Sequence, residues 1–293
     1  MLMLIDLGYR APDSLEEALE ILGEDSSYLI LAGGTDLLVK YFDAREKMGN
    51  VLDISRLEEL KKIVIEEEKI FLGALTTHEE IYRNPDLQKK VPFLCRAAKS
   101  VGAPQIRNQG TLGGNMANAS PAADLAPPLI AVGSRILLAG PDGERSFNLD
   151  EFFTGPGKTR KNPNEIITGV EFNVPGGDFR NTFLKVGQRR ALAIAVASLA
   201  IALSCRQGKV EEVRLSAGSV APIPLRARET EKILQGQKLD NLPLEKAADQ
   251  LEKEASPIDD IRGTGVYRAR VLGNLLRKGL QEVLFQEGVS ENG

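Results

Sequence analysis

The chain has 293 residues, 42% of them hydrophobic and 27% charged, with a net charge of −4. That length supports more than one domain, and the acidic balance excludes a nucleic-acid partner, whose phosphates need a basic face. No apolar run reaches the eighteen or so residues of a membrane span, and the start lacks the basic region and cleavage site of a secretory leader, so a cytoplasmic protein is expected.

Ser14 stands before an apolar face of Leu15, Ala18, Leu19 and Leu22, with Glu17 at capping-box spacing, which predicts a helix over 14–25. "SYLILAGG" reads as a buried strand ending at Gly33–Gly34, and "DLLVKYFDAR" as a helix or a turn leading into one. "NVLDIS" (50–55) is a second strand, and "KKIVIEEEKIFLGAL" a hairpin around an acidic turn. Helices follow in "THEEIYRN" and in "PFLCRAAKSVG", the latter stopping at Gly102. The stretch 103–128, "APQIRNQGTLGGNMANASPAADLAPP", has no sustained period and is expected to be a long functional loop. "LIAVGSRILLAGPDGERSFNL" is strand-like around a Pro-Asp-Gly turn, and "NEIITGVEFNVP" suggests a strand pair. Pro175–Gly177 is the best domain break. Beyond it, "AIAVASLAIALS" and "VEEVRLSAGSV" flank a Gln-Gly turn, and helices are expected near 225–235, 244–254 and 265–285.

Two isolated cysteines, Cys95 and Cys205, suit packing and cannot hold an iron–sulfur cluster, while a single histidine, His78, leaves no histidine-based metal site. His78 follows Thr76 and Thr77 at a helix start and is expected on the surface. "GPGKT" (155–159) lacks the glycine of a phosphate loop at position 152, where Phe152 stands, and is expected to be an ordinary turn.

The glycine pairs are the unusual feature. A strand or helix interior loses roughly 0.5–1 kcal/mol to a glycine relative to alanine, so Gly33–Gly34 and Gly113–Gly114 need a reason. A tight turn of bare N–H groups suits an anion, and two such turns could grip a pyrophosphate from both sides. Read singly, each pair is more often a tight turn than a ligand site; the two together weigh evenly between the readings.

"LAGGTDLLV", followed by "IRNQGTLGGNMANASPAADLAPPLIAVGS", resembles the FAD-binding medium subunit of the molybdenum hydroxylases, the group of xanthine, carbon monoxide and nicotinate dehydrogenases. The resemblance continues in order through "FFTGPGKTRKNPNEIITGVEF", "FLKVGQRRALAIAVAS", "AGSVAPIPLRARETE" and "GVYRARVLGNLLRKGL". It implies an α+β fold: a two-part FAD-binding domain over 1–177 (subdomains about 1–55 and 56–177, a small parallel or mixed sheet and a larger antiparallel one), then a C-terminal antiparallel sheet with helices over 178–293. It also implies noncovalent FAD. Ile30, Leu31, Ala32, Gly33, Gly34, Thr35, Asp36 and Leu37 match the motif around the pyrophosphate, and Gly110, Thr111, Leu112, Gly113, Gly114 and Asn115 match the second motif. Asp124 matches an aspartate that takes sugar-chain hydroxyls, Val101 and Ile167 match apolar ring contacts, and Lys185 a lysine near the flavin ring.

Plainer roles exist for several of these. Asp36 and Asp124 suit helix caps, Lys185 a solvated strand end, and Arg189–Arg190 a surface pair as readily as a nicotinamide guide. The cysteine-rich insertion of some relatives is missing, and Ala191 and Leu192 stand where nicotinamide-using relatives carry an acidic pair, which leaves the acceptor open. The implied function is an electron relay: a large molybdenum-cofactor subunit oxidises substrate, a small iron–sulfur subunit passes electrons on, and the flavin here delivers them to NAD or another acceptor. The alternatives are a stand-alone FAD oxidoreductase and a non-catalytic scaffold or assembly protein.

Overall fold

Parallel strands need long crossovers, whereas hairpins need only a tight turn, and the chain uses the two in succession. The computed structural model describes residues 8–44, 49–189 and 193–286. First come β1 (Tyr9–Arg10), α1 (Leu15–Glu24), β2 (Leu29–Leu31), α2 (Leu37–Ala44) and β3 (Val51–Asp53). They make a parallel sheet with β3 in the middle. Ala18 and Leu22 of α1 pack with Leu52, Ile54 and Leu57 in its core. β3 is buried, but β2 is an edge strand with Leu29 exposed and Ile30 and Leu31 half-buried, not the buried strand expected. Ser14 caps α1 through the Glu17 N–H, yet the Glu17 carboxylate accepts from the Asp13 N–H at 2.8 Å, one residue before the box position.

The second sheet is antiparallel. Its hairpin β4 (Ile63–Ile65) and β5 (Lys69–Gly73) is followed by α3 (His78–Arg83), α4 (Pro85–Lys90), α5 (Pro92–Ser100), α6 (Pro104–Gln109), α7 (Leu112–Asn118) and α8 (Ala126–Ala131). Then come β6 (Arg135–Gly140), β7 (Gly143–Asn148), α9 (Leu149–Phe152), a small hairpin of β8 (Phe153–Gly155) and β9 (Lys158–Thr159), and β10 (Ile166–Asn173). The strand order is β4-β5-β10-β6-β7. "NEIITGVEFNVP" is thus one central strand, bulged between Ile167 and Gly169, rather than a pair. "GPGKT" is an ordinary hairpin turn with Gly157 at φ +68°.

The stretch 103–128 is not a loop. It carries α6, α7 and the start of α8, and "LIA" continues α8 instead of opening a strand. Every residue of α8 is buried, so no polar face exists to mark a helical period.

The third sheet holds β11 (Asp178–Gly187), β12 (Ala195–Arg206), β13 (Lys209–Gly218) and β14 (Leu225–Arg226) in sequential order. Gln207 and Gly208 both have positive φ (51° and 72°), the geometry a two-residue hairpin turn requires. α10 (Arg228–Leu234), α11 (Leu244–Glu254) and α12 (Gly265–Leu284) follow, and α10 to α12 pack apolar residues against this sheet. Phe183, Ala200 and Ala202 share the core of the second sheet with Phe93 and Leu129, which fixes the third sheet against α5 and α8.

Candidate functional site

The loop from β2 to α2 carries the first glycine pair. Gly34 sits at φ +71°, a conformation that favours glycine. A Cβ on Gly33 would overlap the carbonyl oxygen of Gln109 and crowd the Gly110 Cα, so only glycine lets this loop lie against the 109–110 backbone. Among the described residues no oxygen accepts from the N–H groups of Gly33, Gly34, Thr35 or Asp36. Free donors around a positive-φ turn make an anion-binding concavity.

The second pair differs from expectation. Gly113 and Gly114 lie inside α7, and the N–H groups of its first turn are taken: Leu112 donates to the Thr76 carbonyl (2.9 Å), Gly113 to the Ala74 carbonyl (2.7 Å) and Gly114 to the Thr111 hydroxyl (3.1 Å). A Cβ on Gly113 would come within 2.7 Å of the Ala74 Cβ, so that glycine serves packing. Gly114 has open space apart from its own cap and forms a smooth wall.

Between the two lies a cleft of three connected lobes. The middle lobe, about 210 Å³, is lined by Ile30, by Ala32 to Leu37, by Gly110 and Thr111, and by Gly114 and Asn115. Thr35, Asp36 and Asn115 continue into a lobe of about 280 Å³ that reaches Val101, Asp124, Ala193 and Ile194. Ile30, Ala32 and Gly114 continue into an apolar one of about 100 Å³ that holds Gly113 and Ile167. Three expected site residues stay out: Leu31 is paired in the sheet opposite Asp53, Leu112 is core, and Lys185 lines none of the lobes and reaches them only through Asp124. A larger cavity of about 360 Å³ lies elsewhere, around Gly133, where Lys69 and Arg214 are neutralised by Glu171 and Glu212.

Asp36 does not cap α2. Its carboxylate accepts from Asn118 Nδ2 (3.0 Å), whose Oδ1 accepts from Lys40 Nζ (2.6 Å), a link across the cleft mouth. Asp124 does not cap α8 either. It is buried and accepts from Lys185 Nζ at 2.5 Å, while that ammonium also donates to the Ser100 carbonyl at 3.1 Å. Burial pushes the Asp124 carboxyl up to about 6 although the Lys185 ammonium pulls the other way, so it is ionised at neutral pH. Lys185 is therefore an internal counter-ion rather than a solvated strand end.

His78, expected on the surface, is 3% exposed and lines the middle lobe. Burial, with the Arg107 guanidinium nearby, pulls its pKa down to about 4 and keeps the ring neutral. Nothing in the local sequence marks this, because the burial depends on the Gly110 backbone 32 positions on. Buried polar atoms lacking a partner include His78 Nδ1, Asn115 Oδ1 and Asp124 Oδ1, all three on residues that line this cleft. Each such atom costs about 1–3 kcal/mol if nothing satisfies it. Arg190, Ala191 and Leu192 lie outside the described residues.

The family described as the FAD binding domain in molybdopterin dehydrogenase matches residues 5–175, and the CO dehydrogenase flavoprotein C-terminal domain matches residues 182–283. The chain belongs to this family of FAD-binding medium subunits. It is 34% identical to the glyceraldehyde dehydrogenase medium chain of Sulfolobus acidocaldarius, with 95% of this chain and 98% of that one covered. It is 32% identical to the carbon monoxide dehydrogenase medium chain of Hydrogenophaga pseudoflava, over 93% and 95%. A solved structure of carbon monoxide dehydrogenase from Hydrogenophaga pseudoflava superimposes with a TM-score of 0.91 at 30% identity, over 94% and 96%. The FAD subunit is thus an oxidoreductase component with the α+β fold expected. The cleft suits its cofactor on three counts: free N–H donors for a diphosphate, a glycine wall that admits close approach, and buried polar atoms awaiting partners. No helix among the described residues is long and apolar enough to cross a membrane, and these residues hold no cluster of three or more His, Cys, Asp or Glu able to bind a metal.

Proposed function

We propose that the three-lobed cleft holds FAD noncovalently and that the subunit relays electrons within a larger dehydrogenase. The observation that carries this reading is that the residues lining one cleft hold three unpartnered buried polar atoms and, among the described residues, four backbone donors without acceptors. In it, the N–H groups of Gly33 to Asp36 hold the diphosphate, and Gly114 admits it to the wall. Asp124 accepts from hydroxyls of the sugar chain, and Val101 and Ile167 supply apolar contacts at the two ends. Lys185, held by Asp124 at 2.5 Å, would act on the flavin as one half of a buried ion pair, tuning the ring rather than holding the cofactor. The flavin, when bound, supplies the electron chemistry; the chain binds, orients and tunes.

The partners in this reading are a large molybdenum-cofactor subunit that oxidises the substrate and a small iron–sulfur subunit that feeds the flavin. It is supported by the "medium chain" names of the relatives in glyceraldehyde and carbon monoxide dehydrogenases. The acceptor in this reading is NAD, a quinone, oxygen or another acceptor. Purified protein is expected to be yellow, with about one acid-releasable FAD per chain. FAD at a hundred times its Kd should stabilise the apo-protein by about 2.7 kcal/mol; a colourless protein that FAD does not stabilise overturns the reading. The isolated subunit should be reduced by dithionite yet oxidise no purine, aldehyde or N-heterocycle.

A further inference from the structure

His78 is the chain's one histidine. Its backbone N–H donates to the Gly110 carbonyl at 3.1 Å. Its ring packs against Gly110, where a Cβ would come within 3.0 Å of Cδ2 and 3.2 Å of Nε2. Gly33 rests on the same 109–110 backbone, so loop, backbone and imidazole are stacked in that order. The ring also lines the middle lobe, and its Nδ1 is buried without a partner.

Charge gives this ring a use. Among the described residues, the only cation lining the middle lobe is Lys40, and the only acid is Asp36. A dianionic diphosphate in so balanced a cavity must be held by neutral donors as well as by charge. The nearby Arg107 does not supply the charge: its Nε donates to Glu79 at 2.7 Å, and its Nη1 to the carbonyls of Lys99 and Gly102. Glu79 also takes Arg83 at 2.6 Å, so neither group is free to pair with the imidazole.

We propose that His78 is a ligand of the nucleotide's diphosphate, its ring donating a hydrogen bond into the middle lobe. This rests on the FAD reading of the cleft and adds a residue outside both glycine motifs.

The test uses the full apo chain with ADP and adenosine as probes, since the ratio of their affinities isolates the diphosphate. A hydrogen bond to a charged group corresponds to about ten- to hundredfold in affinity. His78→Leu should therefore reduce ADP binding by at least about tenfold while adenosine binding changes little. His78→Asn, which keeps an uncharged donor at this position, should restore ADP affinity to within about threefold of wild type. A single histidine also makes a clean spectroscopic label: in ¹⁵N-histidine protein, ADP should move a ring-nitrogen resonance and adenosine should leave both in place. That measurement needs no variant and stands even if His78→Leu fails to fold. An unchanged affinity ratio in His78→Leu, or ring-nitrogen resonances indifferent to ADP, overturns the proposal while leaving the cleft's assignment intact. Wild-type protein that binds neither FAD nor ADP overturns the assignment itself.

Discussion

Gly33–Gly34 and Gly113–Gly114 are written alike, each followed closely by a polar residue and bordered by apolar ones, yet they solve different problems. The first pair leaves its N–H groups and those of Thr35 and Asp36 without acceptors, in a loop pressed onto the 109–110 backbone. The second has its N–H groups consumed by Ala74 and Thr111 and contributes shape alone. Donor chemistry and steric clearance, which one motif could in principle combine, are divided here between two sides of a cleft. Spelling does not reveal that division; the destination of each backbone hydrogen does.

Gly33→Ala should break the arrangement most severely. The new Cβ would overlap a backbone oxygen, which cannot rotate away as a side chain can. A cost of about 3 kcal/mol or more is expected, at or beyond the upper end for overpacking. FAD binding should be lost with it, because the loop must lift off residues 109–110. Urea unfolding and FAD titration check both; a variant with wild-type stability and affinity would mean that the loop does not need this contact.

The floor beneath that contact should answer to pH. An unfolded histidine takes its proton near 6.5, whereas buried His78 does so only near 4, so between these values the unfolded apo-chain binds more protons. The contribution of His78 is intact above pH 6.5 and is lost as pH falls toward 4, on the order of 3 kcal/mol in all. Asp124 acts oppositely. Burial raises it from 3.8 to about 6, so its cost is largest above pH 6 and fades as pH falls. Wild-type stability should therefore vary little across pH 4–6, while His78→Asn, which removes only one of the two, should gain on wild type as pH drops. Parallel stability curves for the two proteins would contradict this.

Within the second pair the two glycines should separate. Gly113→Ala meets Ala74 and should destabilise by about 1–3 kcal/mol, with FAD affinity kept in the folded fraction. Gly114→Ala gains up to about 1 kcal/mol of helix propensity, offset by its approach to the Thr111 hydroxyl, so stability should hardly change. Its methyl stands on the cleft wall, and FAD affinity should fall. The same pattern at both positions would show that the glycines do not differ in role.

Much of this fold was legible in the sequence where local rules agree with tertiary packing. α1, the β4–β5 hairpin, the Gln207–Gly208 turn and α10 to α12 all fall where periodicity, caps and turn residues put them. Residues 103–128 were not legible, because α6 to α8 are only six or seven residues long and α8 is buried all round. The glycine motifs marked the cleft, yet Leu31 and Leu112 share the motifs without lining it: one is fixed by its sheet partner, the other by the core. His78 escaped because its burial comes from a backbone contact far along the chain, which no local pattern encodes.

The smallest effect concerns the link that joins the two regions. Asp36 accepts from Asn118, which accepts from Lys40, and both bonds are exposed, so each is worth about 1 kcal/mol or less. Asn118→Ala should leave apo stability within about 1 kcal/mol of wild type and speed FAD release a few-fold, as read by flavin fluorescence after dilution. Lys40→Met separates two roles for the ammonium. If Lys40 acts only through Asn118, its substitution should have no further effect on release in an Asn118→Ala background. If Lys40 turns toward the diphosphate once FAD is bound, the loss should persist in that background and weaken with salt. No other cation among the described residues lines the middle lobe, so we expect the second outcome. Non-additive behaviour of the pair would return Lys40 to the link alone and leave neutral donors to hold the anion.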